Sequence, residues 1–218
     1  AGTTSTITVA AVNDAPVVGG AGGTLAYTEN DPATVIDGTL TITDVDSATI
    51  TGATVSITGG LVPSEDVLAF TSGFGITGSY SAATGVLTLT GTATLAQYEQ
   101  VLESVTYQNT SDNPNTGNRT VTWVVTDGSA NSAGTTSTIT VAAVNDAPVV
   151  TAIADQTIPE DGTTGALAFS VSDVETAAGS LTVTAVSSNT TLIPNGNLTL
   201  VDLGGGNWTI AATPALNQ

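Results

Sequence analysis

Apolar and polar residues alternate along most of the chain in short runs, which is the pattern of strands with one buried face. In the first two thirds of the chain these runs are 39–43, 53–58, 86–90, 120–126 and 138–144, separated by Gly, Asn, Asp and Pro. Several short strands with turn residues between them predict an all-β sandwich. The expected inward-facing residues are Leu40, Ile42, Val55, Ile57, Leu87, Leu89, Val121, Trp123, Val125, Ile139 and Val141.

One segment departs from this alternation and predicts a short helix. Thr94 and Gln97 are spaced as a capping box, in which the threonine oxygen accepts from the amide three residues later. Apolar residues then recur at helical spacing, at positions 95, 98, 102 and 105. We expect a helix from about Leu95 to Ser104, packed on the end of the sandwich.

An exact internal repeat defines the domain organisation. Residues 1–18 read AGTTSTITVAAVNDAPVV, and residues 133–150 read the same. We therefore interpret 1–12 as the closing strand of a preceding repeat and 13–144 as a complete β-sandwich module. Residues 145–218 are interpreted as a second sandwich module in tandem with the first.

The second module has fewer strand patterns than the first. Alternating runs at 166–172, 181–187, 198–203 and 207–212 predict four strands. Nothing after them matches the two closing strands of the first module. We expect this module to be incomplete at its C-terminus, either as part of a longer repetitive chain or as a sandwich that another chain completes.

The charge of the chain restricts the partners that it can have. Nineteen acidic residues stand against one basic residue, Arg119, which gives a net charge of −18. A nucleic acid is excluded as a partner because its phosphate backbone needs Lys and Arg to neutralise it. The same charge argues against an anionic membrane surface. No apolar run is long enough to span a bilayer. Divalent cations are the partners that such a surface favours.

Few side chains in the sequence are of the types that catalyse reactions. The chain has no His, Cys or Lys, so the common pairs of nucleophile and base are excluded. A glycosidase that uses only carboxylates remains an alternative, with Glu99 and Glu103 one helical turn apart. The exposed face of a helix explains that pair better. The sequence predicts a protein that is not an enzyme.

Carboxylates recur at nearly the same sequence distance from the linker in both modules. After the first linker come Glu29 and then the pair Asp44 and Asp46, and the first module adds Asp127 in a Thr-Asp-Gly turn. After the second linker the corresponding residues are Glu160, Asp173 and Glu175. Asp also favours turns, so each cluster by itself is compatible with ordinary turn formation. The shared spacing favours a common ligand instead.

The linkers and these carboxylates resemble a cadherin repeat. The motif is Val-Asn-Asp-Ala-Pro, then a Glu near the first strand, an Asp-x-Asp pair, and an Asp-Gly before the closing strand. The linkers and the stretch from Tyr107 to Gly128 resemble, more narrowly, the cadherin-like repeats of very large calcium-dependent bacterial surface adhesins. Two features depart from the animal family: each linker has a single Asp, and the Leu-Asp-Arg-Glu motif has no clear counterpart.

The resemblance implies tandem cadherin-like, immunoglobulin-like β-sandwich modules with Ca²⁺ at each module junction. At the upstream junction it implies ligands from Asn13, Asp14, Asp44, Asp46 and Asp127. At the central junction it implies Glu29, Asn145, Asp146, Asp173 and Glu175, and it assigns Glu160 to a downstream junction. Ca²⁺ takes six to eight oxygen ligands in irregular geometry, and extracellular modules bind it at about 10⁻⁴–10⁻³ M.

The expected function is therefore that of a structural spacer. Serial sandwiches joined by Ca²⁺-stiffened linkers would extend an adhesin fibre from a cell surface, in the extracellular space. Its partners would be neighbouring repeats of the same chain, or identical subunits joined head to tail. The alternative is a self-assembling filament or surface-layer subunit, in which residues 1–12 complete the second module of a neighbour by strand addition.

Overall fold

The computed structural model describes residues 2–216 and divides the chain into two compact units, residues 1–144 and 145–218. Strands dominate both units, and one α-helix lies in the first. The predicted all-β class with a single short helix is confirmed. Within the described residues, no helix has both the length and the hydropathy needed to cross a bilayer.

Eleven strands and the helix form the first unit. They are β1 (Val17–Gly19), β2 (Thr24–Thr28), β3 (Thr34–Val35), β4 (Thr41–Thr43), β5 (Thr49–Gly59), β6 (Asp66–Ala69), β7 (Thr77–Ser81), β8 (Val86–Thr94), α1 (Leu95–Glu103), β9 (Thr106–Asn109), β10 (Arg119–Thr126) and β11 (Thr135–Ala142). The main sheet has the order β2-β11-β10-β5-β8-β7. The smaller sheets β3-β9-β6 and β1-β4 contribute to the same core.

β11 lies between two different neighbours in the main sheet. It runs parallel to β2, with Ile139 opposite Leu25, and antiparallel to β10, with Ile139 opposite Arg119. Alternate residues of a strand point to opposite faces, so Ser137, Ile139 and Val141 all point into the sandwich. These three side chains are 1%, 0% and 5% exposed.

The core is formed by the residues that alternation selects. All eleven side chains expected to face inward are buried, each with at most 5% of its surface exposed. Fully burying a side chain of this size contributes roughly 1.5–3 kcal/mol. The alternation was therefore sufficient to identify the centre of the first unit.

Helix α1 begins with the capping box that the sequence predicts. Gln97 N donates to Thr94 Oγ1 at 3.3 Å, and Thr94 N donates to Gln97 Oε1 at 3.0 Å. The helix buries Tyr98, Val101 and Leu102 against the sandwich. Next to this buried face, Glu99 Oε1 accepts from the backbone N–H of Ile42 at 2.6 Å. Glu99 therefore fixes the helix to β4, which is a structural role.

A series of hydrogen bonds connects polar side chains in the interior next to Trp123. The indole Nε1 donates to Ser137 Oγ at 3.0 Å, and that hydroxyl donates to Asp37 Oδ2 at 2.8 Å. The carboxylate of Asp37 also accepts from the N–H of Gly23 at 3.1 Å and from the N–H and hydroxyl of Thr39 at 3.2 and 2.8 Å. Burial raises the pKa of Asp37, but these hydrogen bonds together outweigh burial and hold it below the ordinary value of 3.8.

Acid is expected to destabilise the first unit through Asp37. Because its folded-state pKa lies below the unfolded-state value, its contribution is complete above about pH 4 and is lost as the pH falls through the folded-state pKa. The free energy of unfolding from urea melts in a Trp208→Phe background, followed by Trp123 fluorescence between pH 2 and 6, measures this loss. The Asp37→Asn variant should show a shallower pH dependence than the unsubstituted chain. An unchanged slope would mean that other carboxylates control acid unfolding.

The two copies of the repeated sequence have different conformations. Residues 135–142 form β11, whereas residues 2–16 contain no strand, so the expected closing strand at 4–12 is absent. Ile139 and Val141 are buried, but their counterparts Ile7 and Val9 are 88% and 87% exposed. The sequence is the same, so the neighbouring strands β2 and β10 account for the difference. An isolated strand has no partner for its backbone groups and no surface to pack on.

The second unit has one sheet of four strands. The strands are β12 (Val149–Val150), β13 (Leu167–Ser172), β14 (Leu198–Gly204) and β15 (Asn207–Ala212), in the order β12-β13-β15-β14, with 3₁₀ turns at Ala178–Ser180 and Asn195–Asn197. The strand predicted at 181–187 is wrong, because no strand lies there. Trp208 is only half-buried. Among the described residues of this unit, Val171 is the one buried apolar side chain, with 5% of its surface exposed.

Candidate metal centre

Each linker forms the same local turn. Asn13 Nδ2 donates to the carbonyl oxygen of Asp14 at 2.8 Å. In the second unit, Asn145 Nδ2 donates to the carbonyl oxygen of Asp146 at 2.6 Å. The identical Asn-Asp-Ala-Pro sequences explain this agreement.

The acidic pair that follows β4 or β13 also forms the same turn in both units. Asp44 Oδ1 accepts from the N–H of Asp46 at 3.0 Å and of Ser47 at 2.7 Å. Asp173 Oδ1 accepts from the N–H of Glu175 at 3.2 Å and of Thr176 at 2.7 Å. The first carboxylate of each pair thus orders its loop with one oxygen and keeps the other for a further partner.

A further hydrogen bond ties each linker to its own acidic loop. The backbone N–H of Asp14 donates to Asp46 Oδ2 at 3.1 Å. The backbone N–H of Asp146 donates to Glu175 Oε2 at 3.2 Å. Glutamate in the second unit reaches the same linker position as aspartate in the first. The recurrence therefore includes contacts between segments about thirty residues apart, which turn propensity alone does not explain.

Asp127 joins the arrangement in the first unit. Its Oδ1 accepts from the N–H of Ser129 at 2.6 Å and of Ala130 at 2.7 Å, and its Oδ2 accepts from Asn13 Nδ2 at 2.8 Å. The two backbone hydrogen bonds, followed by the one from Asn13, hold the pKa of Asp127 below its ordinary value of 3.8. The carboxylate is therefore ionised across neutral and mildly acidic pH.

Several of the carboxylate oxygens have no hydrogen-bond partner among the described residues. They are Asp44 Oδ2, Glu175 Oε1 and Glu29 Oε1, and all three atoms are buried. Glu29 is 3% exposed, and its other oxygen, Oε2, accepts from the N–H of Val144 at 2.8 Å. A buried carboxylate oxygen without a donor is strongly destabilising unless a cation binds it. These atoms fit the oxygen donors that Ca²⁺ prefers.

The structure brings together the predicted ligands of the upstream site within the first unit. Hydrogen bonds link Asn13 to Asp127 and Asp14 to Asp46, and the Asp46 amide joins Asp44 to the same group. In the second unit they link Asp146, Glu175 and Asp173. The sharing of one ion by Glu29 with Asn145, Asp146, Asp173 and Glu175 stays a prediction, as does the role of the exposed Glu160.

Sequence reasoning missed the backbone donors of this arrangement. The N–H groups of Val144, Ser47 and Thr176 orient Glu29, Asp44 and Asp173, but backbone groups leave no signal in the residue types. The Asp-x-acid spacing, which lets an aspartate accept from the two following amides, was the signal available.

Comparison with known proteins finds only distant structural likenesses. No family model and no curated protein matches the chain. One similar solved structure is a chimeric titin Z1Z2 functionalised with a KLER exogenous peptide from decorin, at a TM-score of 0.28 and 12% identity, covering 94% of this chain and 85% of that one. Another is the surface layer protein SbsC, domains 4–9, at a TM-score of 0.22 and 13% identity, covering 95% of this chain and 28% of that one. Neither likeness adds to what the strand pairing itself establishes.

Proposed function

We propose that this chain is a calcium-binding structural repeat, a spacer that extends and stiffens an extracellular adhesin fibre. The observation that supports the proposal is the set of four hydrogen bonds that recurs in both units. The recurring parts are the asparagine turn of the linker, the acidic loop, and the bond from the linker amide to the second acid of that loop. A recurring arrangement that leaves buried carboxylate oxygens without donors favours a common cation.

The ligands of the first unit would come from three separate segments. The linker supplies Asn13 and Asp14, the loop after β4 supplies Asp44 and Asp46, and the turn after β10 supplies Asp127. Carboxylates so close to one another repel, and a divalent cation replaces that repulsion by attraction. In the second unit, Asn145 and Asp146 would act with Asp173 and Glu175 in the same manner. Glu29 and Glu160 would contribute from the other end of their modules.

Ca²⁺ fits this set better than Mg²⁺ does. Ca²⁺ accepts six to eight oxygens at irregular angles, whereas Mg²⁺ requires a nearly ideal octahedron and retains several waters. The proposed ligands of each unit are carboxylates and one asparagine side-chain oxygen, which come from separate linker and loop segments. Binding would fix the linker to the sandwich, and this is the mechanical property that a spacer needs. An extracellular location provides calcium at the concentrations that such modules require.

Calcium is expected to raise the stability of both units. For a dissociation constant of about 10⁻⁴–10⁻³ M, 10 mM Ca²⁺ should raise the free energy of unfolding by roughly 1.4–2.7 kcal/mol. Titration calorimetry measures the binding. Urea melts with and without 10 mM Ca²⁺ measure the stability, and because each unit contains one tryptophan, Trp208→Phe and Trp123→Phe backgrounds report the first and second unit separately.

Matched variants assign the effect to the proposed ligands. The Asp44→Asn, Asp46→Asn variant should lose the calcium response of the first unit, and Asp173→Asn, Glu175→Gln that of the second. The control is Asp112→Asn, Asp155→Asn, which removes the same charge at two exposed positions and should retain both responses. If calcium has no effect on the unsubstituted chain, or an equal effect on the control and ligand variants, these carboxylates are turn formers and the proposal fails.

A further inference from the structure

The exposed segment Thr3–Ala10 is identical in sequence to β11, but it is not paired in the structure. We infer that this segment is a donor strand. Its acceptor is the slot between β2 and β10, which is the position of β11, in a second copy of the chain. The inference goes beyond the spacer function and does not depend on calcium.

The contacts that the segment would make are already known from β11. In the slot, Ser5 would take the place of Ser137, which accepts from Trp123 Nε1 and donates to Asp37 Oδ2. Ile7 and Val9 would take the places of Ile139 and Val141, which are 0% and 5% exposed. Their present exposures of 88% and 87% would fall to the same values. The acceptor is therefore complementary to the segment at every side chain.

The segment cannot reach the slot of its own copy. Asn13 is hydrogen-bonded to Asp127, at the end of the sheet where β10 finishes. In the slot, the place of Ala142 is opposite Thr28, at the far end of the same strands, roughly 35 Å from Asp127 at about 3.3 Å per residue. The three residues from Ala10 to Asn13 span at most about 11 Å. The acceptor must therefore belong to another copy.

The charge distribution lets the donor segment approach a second copy, whereas it opposes contacts between most other surfaces of two copies. Residues 2–12 contain no charged side chain, although the chain as a whole carries a net charge of −18. The segment can thus enter another copy without bringing carboxylates close together, whereas other exposed surfaces carry acidic groups that repel. An uncharged, apolar strand that alternates Ile and Val with Thr also has the composition of a segment that adds to a sheet.

The donor segment can enter the slot only by replacing β11, so β11 controls this exchange. Because Thr3–Ala10 and β11 are identical, they make equal contacts in the slot, and β11 has the advantage of belonging to the same chain. Exchange is therefore expected when β11 opens, during unfolding or at high protein concentration. Each exchanged copy still presents its own donor segment to a further copy, so exchange links copies in series.

The test uses full-length variants in a Trp208→Phe background, with and without calcium. An acceptor variant carries Ile139→Asp and Val141→Asp, which disable its own β11 but leave its donor segment intact. A null variant carries these two substitutions together with Ile7→Asp and Val9→Asp. Analytical ultracentrifugation measures association between 1 and 200 μM, and Trp123 fluorescence reports whether the sandwich is folded.

The acceptor variant should form concentration-dependent oligomers with the native Trp123 emission, and the null variant should remain unfolded at every concentration. A synthetic peptide of residues 2–14 should restore native emission to both variants, and the same peptide with Ile7→Asp and Val9→Asp should restore neither. The inference is overturned if the two variants behave alike and the peptide has no effect. It is also overturned if the acceptor variant is a folded monomer, because the segment then reaches its own slot.

Discussion

Replacing Arg119 by methionine is expected to lower the free energy of unfolding of the first unit by about 3–5 kcal/mol. Arg119 is the chain's only Lys or Arg and is 0% exposed. Its Nε donates to both oxygens of Asp66 at 3.2 Å, and its Nη2 lies 3.1 Å from Asp66 Oδ1. The substitution leaves the 1%-exposed Asp66 as a buried charge without its partner.

The remaining contacts of Asp66 show why the loss should be large. Tyr107 donates its hydroxyl to Asp66 Oδ1 at 2.6 Å, and the N–H of Val62 donates to Oδ2 at 2.7 Å. Burial and the neighbouring carboxylate of Asp66 raise the pKa of Tyr107, which keeps its hydroxyl protonated as a donor. These neutral donors cannot replace a guanidinium, which also donates to the carbonyl oxygens of Asn115 and Gly117.

Urea unfolding in a Trp208→Phe background, followed by Trp123 fluorescence, measures the loss, and a double-variant cycle tests its cause. The Arg119→Met, Asp66→Asn chain should be more stable than Arg119→Met alone, because it no longer buries an unpaired charge. Exposed Asp112→Asn serves as the control for charge alone and should change the stability by less than about 0.5 kcal/mol. If both Arg119 variants are equally unstable, packing of the arginine stem, rather than the charge, accounts for its importance.

The second large effect is expected from Trp123→Ala, which should lower the stability of the first unit by about 3–5 kcal/mol. Trp123 is the largest fully buried side chain of the described residues, and it lies among the core residues of the main sheet. Its removal opens a cavity and also deprives Ser137 Oγ of a donor. Far-ultraviolet circular dichroism during urea unfolding is the measurement, since the variant lacks the fluorescent probe.

Trp123→Phe separates the two causes of this effect. Phenylalanine retains most of the apolar volume but cannot donate to Ser137, so it should be clearly less destabilising than alanine. Trp208→Ala is the matched control in the second unit, where the side chain is only half-buried, and its effect should be smaller. Equal losses for Trp123→Phe and Trp123→Ala would show that the hydrogen bond matters more than the volume.

Local patterns were enough to predict the helix and five of the eleven strands of the first unit. Alternation identified Leu40, Val55 and Trp123 as core residues, because a strand with one buried face must alternate. The capping box located the start of the helix at Thr94, because that motif satisfies two backbone donors that would otherwise be unpaired. Both signals lie within a few residues of sequence.

Features that depend on distant partners were not predictable in the same way. Residues 4–12 and 181–187 have strand-like sequences but form no strands, because pairing depends on neighbours that a local pattern does not contain. The pairing of Arg119 with Asp66 joins residues 53 positions apart and leaves no spacing signal. The same limit applies to the metal centre. The sequence identified its carboxylates, but not the amides of Ser47, Thr176 and Val144 that orient them.

The burial of Arg119 has a consequence for how copies of the protein behave towards each other. Since the only cationic side chain is inside the sandwich, the side-chain charge at the surface has a single sign. Such a surface acts as a polyanion, and two copies lying side by side repel over a distance set by the surrounding salt. That distance is about 30 Å at 0.01 M and about 8 Å at 0.15 M ionic strength. The lateral spacing of neighbouring molecules should therefore be controlled by the medium, widening in fresh water and narrowing in brine.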